Sequence, residues 1–518
     1  MENRNKGRGG PLSRRSFFRL AGKTGGAAGA VVATSACEGQ PAGGNGWVPE
    51  QYNAKGNFPV QVRGRVPIDP ANLSIVRDDR KCILCGQCAE ACDHVQSVMG
   101  HYRLPLIDTI PCVDCGQCSL WCPSAAITER DDSTRLLRAI ADKTLHVVVQ
   151  MAPSTRVALG EDFGLPVGTN VEGQQIAALR KLGVDAVFDT NFSADLTIME
   201  EATELVGRIA GKGRETLPQF TSCCPGWVRF CEMFYPDMIP HLSSAKSPMT
   251  MMGAMIKTHY ADRKGIDPAK IVSVAIMPCT AKKSEAARPE MNGAGRQLGR
   301  PEIRDIDIVL TTRELARMIK AAGIDLTALP PESCDGLLSE YTGAGAIFGN
   351  TGGVMEAAVR TAYFLATNRR PPDALLEWQP VRGLKGLKEA SVAIPGVGDV
   401  RVAIVSGLGN ARQILDRVRS GAKPWHFIEV MACPGGCIAG GGQPRSAVPP
   451  SDTIRQARSG AIYSVDERAT IRLSHENGEI KAVYESYLGR PNSELAHHLL
   501  HTGYTDRSMH VATGNRRD

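Results

Sequence analysis

Outside its first 36 residues this chain has no surplus of charge of either sign. Those residues hold seven basic side chains (Arg4, Lys6, Arg8, Arg14, Arg15, Arg19 and Lys23) against one acid, Glu2, while the rest carries 53 basic and 53 acidic residues. A body so balanced lacks the basic face that phosphate contacts require, which excludes nucleic acid as a partner. The weakly apolar stretch from Gly25 to Ala36 falls short of the roughly 20 residues that cross a bilayer. No Cys-x2-Cys-His occurs, which excludes covalently attached haem. The glycine-rich run from Gly343 to Gly349 lacks the spacing of the dinucleotide fingerprint and reads as close backbone packing. Aromatic residues make up only 5% and charged residues 22%, values ordinary for a soluble globular protein. The 518 residues suffice for two or three domains with a buried core.

Cysteine is what the chain has in abundance. There are 16, eight of them between Cys82 and Cys122, and most of the others lie in pairs or in short Gly/Pro-rich motifs. That usage fits a metal protein rather than a disulfide scaffold.

The N-terminus reads as an export address. Ser13-Arg14-Arg15-Ser16-Phe17-Phe18-Arg19-Leu20 resembles a twin-arginine signal, followed by the short apolar stretch and by small residues at Thr34-Ser35-Ala36. Residues 1–36 are therefore expected to be a removable signal that directs a folded, cofactor-loaded protein to the periplasm. Cys37 is a candidate lipid-attachment site, although Thr34 stands where a lipobox usually has Leu. Residues 37–72, rich in Gly, Pro and Asn, read as a linker.

Residues 73–135 carry an internal repeat of the bacterial ferredoxin run: Cys82-x2-Cys85-x2-Cys88-x3-Cys92, then Cys112-x2-Cys115-x2-Cys118-x3-Cys122-Pro123. Three cysteines two apart wrap one face of a cubane, and the fourth reaches the other cluster. The spacing assigns Cys82, Cys85, Cys88 and Cys122 to one 4Fe-4S cluster and Cys92, Cys112, Cys115 and Cys118 to a second. Zinc favours two separated pairs of thiolates, and neighbours this close cannot form unstrained disulfides. Asp93 stands where the pattern often has Pro. Two cubanes in series form an electron wire, so a larger domain must supply the reaction.

That domain is expected over residues 143–450, where apolar runs alternate with amphipathic helical stretches in the α/β manner. Leu145 to Val149, Ile271 to Ile276, Ile306 to Leu310, Val402 to Val405 and Phe427 to Val430 read as buried parallel strands. Three of these runs deliver notable residues directly after the strand: Ala152-Pro153-Ser154, Met277-Pro278-Cys279 and Met431-Ala432-Cys433. Open α/β sheets build their sites at such carboxyl ends. With Thr221-Ser222-Cys223-Cys224-Pro225 and Cys433-Pro434-Gly435-Gly436-Cys437, these segments supply soft thiolates beside tight turns, as another iron–sulfur centre requires. Alone, a vicinal cysteine pair could be a redox switch and a Cys-x3-Cys a zinc site.

The segments Thr221 to Trp227, Met277 to Lys283 and Met431 to Cys437 resemble the three signature motifs of the FeFe (iron-only) hydrogenases nearly residue for residue, and the resemblance covers about residues 75–505. The resemblance extends to Phe188-Asp189-Thr190-Asn191-Phe192, to Ala194 through Glu201, to Leu242 through Pro248 and to Gly343 through Gly349. It implies a ferredoxin-like α+β domain with two 4Fe-4S clusters, followed by a two-lobed α/β catalytic domain with mostly parallel sheets. It also implies an H-cluster, in which a 4Fe-4S cubane is linked to a diiron unit carrying CO, cyanide and a dithiolate. By the resemblance Cys224, Cys279, Cys433 and Cys437 hold that cubane, with Cys437 expected to bridge to the diiron unit.

The same resemblance implies catalytic roles. Cys223, next to a ligand, is the expected first protein proton acceptor, and Glu201, Ser243, Glu204 and Arg208 continue the relay. Glu201, Glu204 and Arg208 stand at i, i+3 and i+7, so one helix face presents all three; taken alone, that face would read as a solvated, salt-bridged surface. Lys282 resembles the donor to one cyanide, Pro153 and Ser154 the contacts to the other, and Met277 and Met431 the apolar walls. Met249 stands where some relatives have Gln. Cys231 and Cys334 match no motif and are expected to pack in the interior.

Residues 455–505 resemble the small subunit of two-subunit periplasmic hydrogenases, fused here behind the catalytic part, and 506–518 are expected to be a tail. His497 and His501 could mimic a metal site but are read as structural. The resemblance implies dihydrogen and protons as substrates, hydrogenase maturation proteins, and a separate electron carrier, a periplasmic cytochrome c or a ferredoxin. Two other classes compete: a hydrogen sensor, which usually adds a signalling domain and loses the free cysteine, and a non-catalytic iron–sulfur relative.

Overall fold

The Val- and Ile-rich runs set the architecture, because a strand apolar on both faces is stable only when covered on both. The computed structural model describes residues 64–102, 110–211, 216–422, 424–446 and 450–508. The twin-arginine segment, Cys37 and most of the expected linker and tail lie outside them.

Near the N-terminus, β1 (Ile75–Arg77) pairs antiparallel with β2 (Ile127–Glu129), and the eight clustered cysteines lie on the chain between them. Gly86 and Gly116 sit at positive φ and start the short helices after Cys85 and Cys115, where a side chain would be strained. Val66 and Ile68, from the end of the expected linker, pack on the Cys88, Cys118 and Ile127 cluster, and the Val66 N–H lies 3.3 Å from Cys88 Sγ.

Two four-stranded sheets follow. The first has the order β4 (Ala186–Asp189), β3 (His146–Met151), β6 (Ile271–Met277), β7 (Ile308–Thr311), and is parallel throughout. The second has the order β5 (Gln219–Phe220), β10 (Phe427–Met431), β9 (Gly398–Ser406), β8 (Leu387–Ile394), parallel except for the β8–β9 pair. All five expected strands are present, within two residues at each end except β9, which starts four residues earlier. The sequence reading passed over β4, β5 and β8.

Six helices matter for the site: α1 (Thr190–Ile209), α2 (Pro225–Phe234), α3 (Pro248–Met255), α4 (Gly353–Thr367), α5 (Asp452–Arg468) and α6 (Glu494–Leu500). Helix α1 starts with Asp189 accepting the Asn191 N–H at 2.9 Å, an N-cap that satisfies an otherwise orphaned donor. Fourteen of its 20 residues are buried, including Asp195, Glu200, Glu201 and Arg208. A helix enclosed on nearly every face cannot tolerate unpaired charge, so each of these groups has to be accounted for. None of the helices among the described residues is long and apolar enough to cross a membrane.

Candidate active site

Five strands deliver their next residues to one place. Ala152, Pro153 and Ser154 follow β3; Thr190 follows β4; Cys223 and Cys224 follow β5; Pro278 and Cys279 follow β6; Ala432, Cys433 and Cys437 follow β10. Together with Met249, Met277, Lys282, Phe348, Gly349 and Met431 they enclose a largely apolar cavity of about 80 Å³. All five thiols there come from the three motifs: four are the expected cluster ligands and the fifth is Cys223. Cys279, Cys115, Cys224 and Cys437 are all close enough to Cys433 to act on it, so the four expected ligands stand together with Cys115 of the N-terminal module beside them.

The donor set fits the group that the sequence implies. Soft thiols stand against methionine and proline walls, while Ser154 Oγ is buried without a hydrogen-bond partner among the described residues, a cost that a bound acceptor would remove. Any Cβ at Gly349 would lie 2.5 Å from that oxygen, so the glycine run keeps the wall thin here. Lys282 reaches the cavity with its Nζ donating to the Cys223 carbonyl at 3.1 Å and paired with Glu285 at 2.7 Å. Burial works against its charge, but Glu285 outweighs burial and raises its pKa.

Behind Cys223 runs a line of polar groups. The Cys223 thiol is pushed well above its ordinary range by burial, and further by Glu201 and Cys224, so it is a neutral thiol at neutral pH. Burial, and then Glu204, push Glu201 up from 4.5 to about 8, although a hydrogen bond to Ser243 opposes the shift. Ser243 Oγ donates to Glu204 Oε2 at 2.7 Å, and Arg208 pairs with Glu204 at 2.5 Å while donating to the carbonyls of Thr216 and Leu242. The helix face of Glu201, Glu204 and Arg208 is thus an interior one and not the solvated surface that charge patterning alone suggests.

The eight clustered cysteines lie near one another, with Cys88 among the neighbours of both Cys92 and Cys118. The neighbours acting on Cys112 include Cys92 and Cys115, and those acting on Cys88 include Cys122 and Cys85. Cys85 is exposed, whereas Cys115 and Cys118 are buried. The loop holding Cys115 lies directly against the catalytic motifs: Thr280 Oγ1 donates to the Asp114 carbonyl at 2.6 Å, and Gly441 stands so close that a Cβ there would run into the Cys115 carbonyl.

Several functional neighbours escape sequence reasoning. Gln443 joins the cavity to the protein body, donating to the Ser154 carbonyl at 2.9 Å and accepting from Thr312 Oγ1 at 2.8 Å. The glycine run Gly440 to Gly442 after Cys437 was the available signal. Glu200 meets His501 Nε2 at 3.0 Å and the Asn492 N–H at 2.7 Å, and it also accepts from the Tyr484 hydroxyl. His501 therefore has both ring nitrogens engaged, one by a carboxylate and the other by Ser244. Cys231 is fully buried in the core, and Cys334 packs at the edge of another cluster.

Comparison with known proteins decides the family. The model of the iron only hydrogenase large subunit, C-terminal domain, matches residues 145–441, more than half of the chain, and that of the iron hydrogenase small subunit matches residues 452–507. The chain belongs to the FeFe hydrogenases. It is 46% identical to the NADP-reducing hydrogenase subunit HndD of Solidesulfovibrio fructosivorans, over 84% of this chain and 75% of that one. It is also 46% identical to the periplasmic Fe hydrogenase large subunit of Nitratidesulfovibrio vulgaris, over 73% of this chain and 88% of that one. A solved structure of a variant of the FeFe hydrogenase HydA1 from Chlamydomonas reinhardtii superposes with a TM-score of 0.64 at 42% identity, covering 73% of this chain and 99% of that one. This FeFe hydrogenase is an enzyme, and membership implies catalysis on dihydrogen at an H-cluster, with iron–sulfur clusters and a need for maturation.

Proposed function

We propose that this hydrogenase interconverts dihydrogen with protons and electrons in the periplasm, passing electrons through two 4Fe-4S clusters of its N-terminal module. The observation that carries the reading is the meeting of four thiols, a fifth free thiol and a buried acid–base line at one apolar cavity. Cys224, Cys279, Cys433 and Cys437 would hold the cubane, with Cys437 bridging to the diiron unit. Lys282, Pro153 and Ser154 would hold that unit's diatomic ligands, and Met277 and Met431 would keep water from it. The bound group supplies the heterolytic chemistry of dihydrogen.

The chain's own residues move the proton. A neutral Cys223 thiol gives and takes a proton without leaving a lasting charge in the cavity. Glu201, also neutral near pH 7, exchanges it through the Ser243 hydroxyl with Glu204, which the Arg208 guanidinium holds by charge-assisted hydrogen bonding. Electrons would leave by way of Cys115 and then the outer cluster at Cys82, Cys85, Cys88 and Cys122, where Cys85 is exposed toward a separate carrier, a cytochrome c or a ferredoxin. Export rests on the twin arginines Arg14 and Arg15, and Cys37 remains the candidate anchor.

Gas chromatography of hydrogen over the matured protein with a reduced dye, paired with infrared spectra for iron-bound CO and cyanide, tests the reading. Hydrogen evolution with those bands is expected. The bands without turnover would indicate a sensor, and the absence of both in iron-loaded protein a non-catalytic relative.

A further inference from the structure

The Ser243–Ser244 corner, which fixes Glu204, is itself fixed by the C-terminal segment. Glu204 accepts from Ser243 Oγ at 2.7 Å and from the Ser244 N–H at 3.2 Å. On one side this corner hangs from β5, through the Ser243 N–H donating to the Phe220 carbonyl at 2.8 Å. On the other side residues 499–504 hold it. The Tyr504 hydroxyl donates to the Ser243 carbonyl at 2.7 Å, the Thr502 N–H donates to the Ser244 carbonyl at 2.8 Å, and the Lys246 N–H donates to the Leu500 carbonyl at 2.8 Å. Ala245 and His501 form an antiparallel bridge.

His501 links this strap to α1 from both ends of its ring. Nδ1 lies 2.8 Å from Ser244 Oγ, and Nε2 lies 3.0 Å from Glu200 Oε2. A carboxylate only accepts, so Nε2 donates to Glu200, while Nδ1 and the Ser244 hydroxyl share the second hydrogen bond. Glu200 and Glu201 are consecutive on α1, so the same ring holds both the backbone next to Glu201 and the serine whose N–H binds Glu204.

We propose that residues 499–504 are a positioning strap for the proton relay, with His501 and Tyr504 as positioning residues that set the Ser243–Glu204 step. This inference rests on the relay reading above. Proton transfer falls steeply once donor and acceptor leave hydrogen-bond reach, so a displacement of about 1 Å at this corner is enough to slow turnover.

The experiment compares metal-loaded His501→Ala, His501→Asn, His501→Gln and Tyr504→Phe with the parent and with Cys223→Ala. It reads dye-linked hydrogen evolution in H2O and D2O, the infrared bands, and amide hydrogen exchange over 243–246. In His501→Ala, turnover should fall about tenfold, the solvent isotope effect should rise and exchange at 243–246 should quicken, with the infrared bands unchanged. Asn places its amide where Nδ1 meets Ser244, as donor or acceptor, and should restore most of the rate, whereas Gln, which reaches only Glu200, should not. Tyr504→Phe deletes a single hydroxyl, spares the packing and should slow turnover severalfold even if His501→Ala fails to fold. Rescue by Gln but not by Asn would make His501 an anchor of the tail only and overturn the proposal, as would full turnover in both His501→Ala and Tyr504→Phe while Cys223→Ala is slow. Normal turnover in Cys223→Ala would instead bring down the relay reading and the strap with it.

Discussion

Replacing Glu201 with Gln should remove a loss of stability that the parent suffers as pH rises to neutrality, while nearly abolishing its turnover. Glu201 is fully buried, and burial together with Glu204 raises its pKa from 4.5 to about 8. Between those values the folded protein keeps a proton on this carboxyl that the unfolded chain gives up, so the parent loses stability as pH rises through the window. Each pH step in the window is worth about 1.4 kcal/mol. From pH 4.5 to pH 7 the parent should therefore lose about 3 kcal/mol that a neutral amide of the same shape never loses. Denaturant unfolding of parent and Glu201→Gln, measured at pH 4.5 and pH 7, gives a double difference in which every contribution common to both proteins cancels. The variant should gain about 3 kcal/mol on the parent between the two pH values. An amide cannot pass a proton onward, so hydrogen evolution should fall roughly 10²–10⁴-fold. A double difference near zero would mean that Glu201 is ionised and well partnered in the folded protein. The reasoning that makes it a neutral relay station would then be wrong.

Three other outcomes are expected. Cys224→Ala should lose the third cubane and the infrared bands, whereas Cys223→Ala should keep iron content and bands but lose turnover; iron analysis beside hydrogen evolution separates the two. Cys82→Ala should slow exchange with an external donor and leave the infrared bands in place, which spectra and dye-linked assays with large and small donors will show. Gly441→Ala should push the Cys115 loop away from the catalytic motifs, costing about 1–3 kcal/mol of stability as an overpacked contact and slowing electron delivery from outside, while retained iron content shows that ligation survives.

How much the sequence reveals depends on whether a residue's partners are near it in the chain or lie in a repeated pattern. The strands β3, β6 and β10 were legible because burial on both faces writes continuous Val/Ile runs. Strand β8 was not, because it pairs antiparallel at a sheet edge and exposes Glu389, Ser391 and Ala393, which leaves no continuous apolar run, and β5 has only two residues. The thiols were legible because a cubane dictates spacing. The roles around α1 were harder. Glu200 and Glu201 are the same residue type side by side, yet the 100° turn per residue sends one toward the C-terminal segment and the other toward Ser243. No local pattern distinguishes them, since the partners of Glu200 lie 284 to 301 residues away.

The same logic applies where the N-terminal cysteine-rich module meets the catalytic part: the two share an apolar cluster that includes Val98, Val113, Trp227 and Val228, and buried charge ties them as well. Arg313, just after β7, donates to Glu129 of β2 at 2.8 Å, to the Gln443 carbonyl at 2.6 Å and to the Gly441 carbonyl at 2.7 Å. Gln443 in turn holds the Ser154 carbonyl at the cavity. Burial alone would raise the pKa of Glu129, but Arg313 and Arg317 win and hold it down at about 2. A planar guanidinium with five donors fixes direction as well as distance, which an apolar contact of similar area does not. The electron path proposed above would need a constant gap, and an apolar interface can slide by a fraction of an ångström at little cost. An arginine whose donors are divided between a strand of one module and two carbonyls of the other cannot slide without leaving a buried charge unpaired, a loss of several kcal/mol. The interface therefore holds the Cys115 loop in register with Cys279 and Cys433 by the same device that the strap uses at Ser243 and Ser244: directional hydrogen bonds made where water cannot replace them.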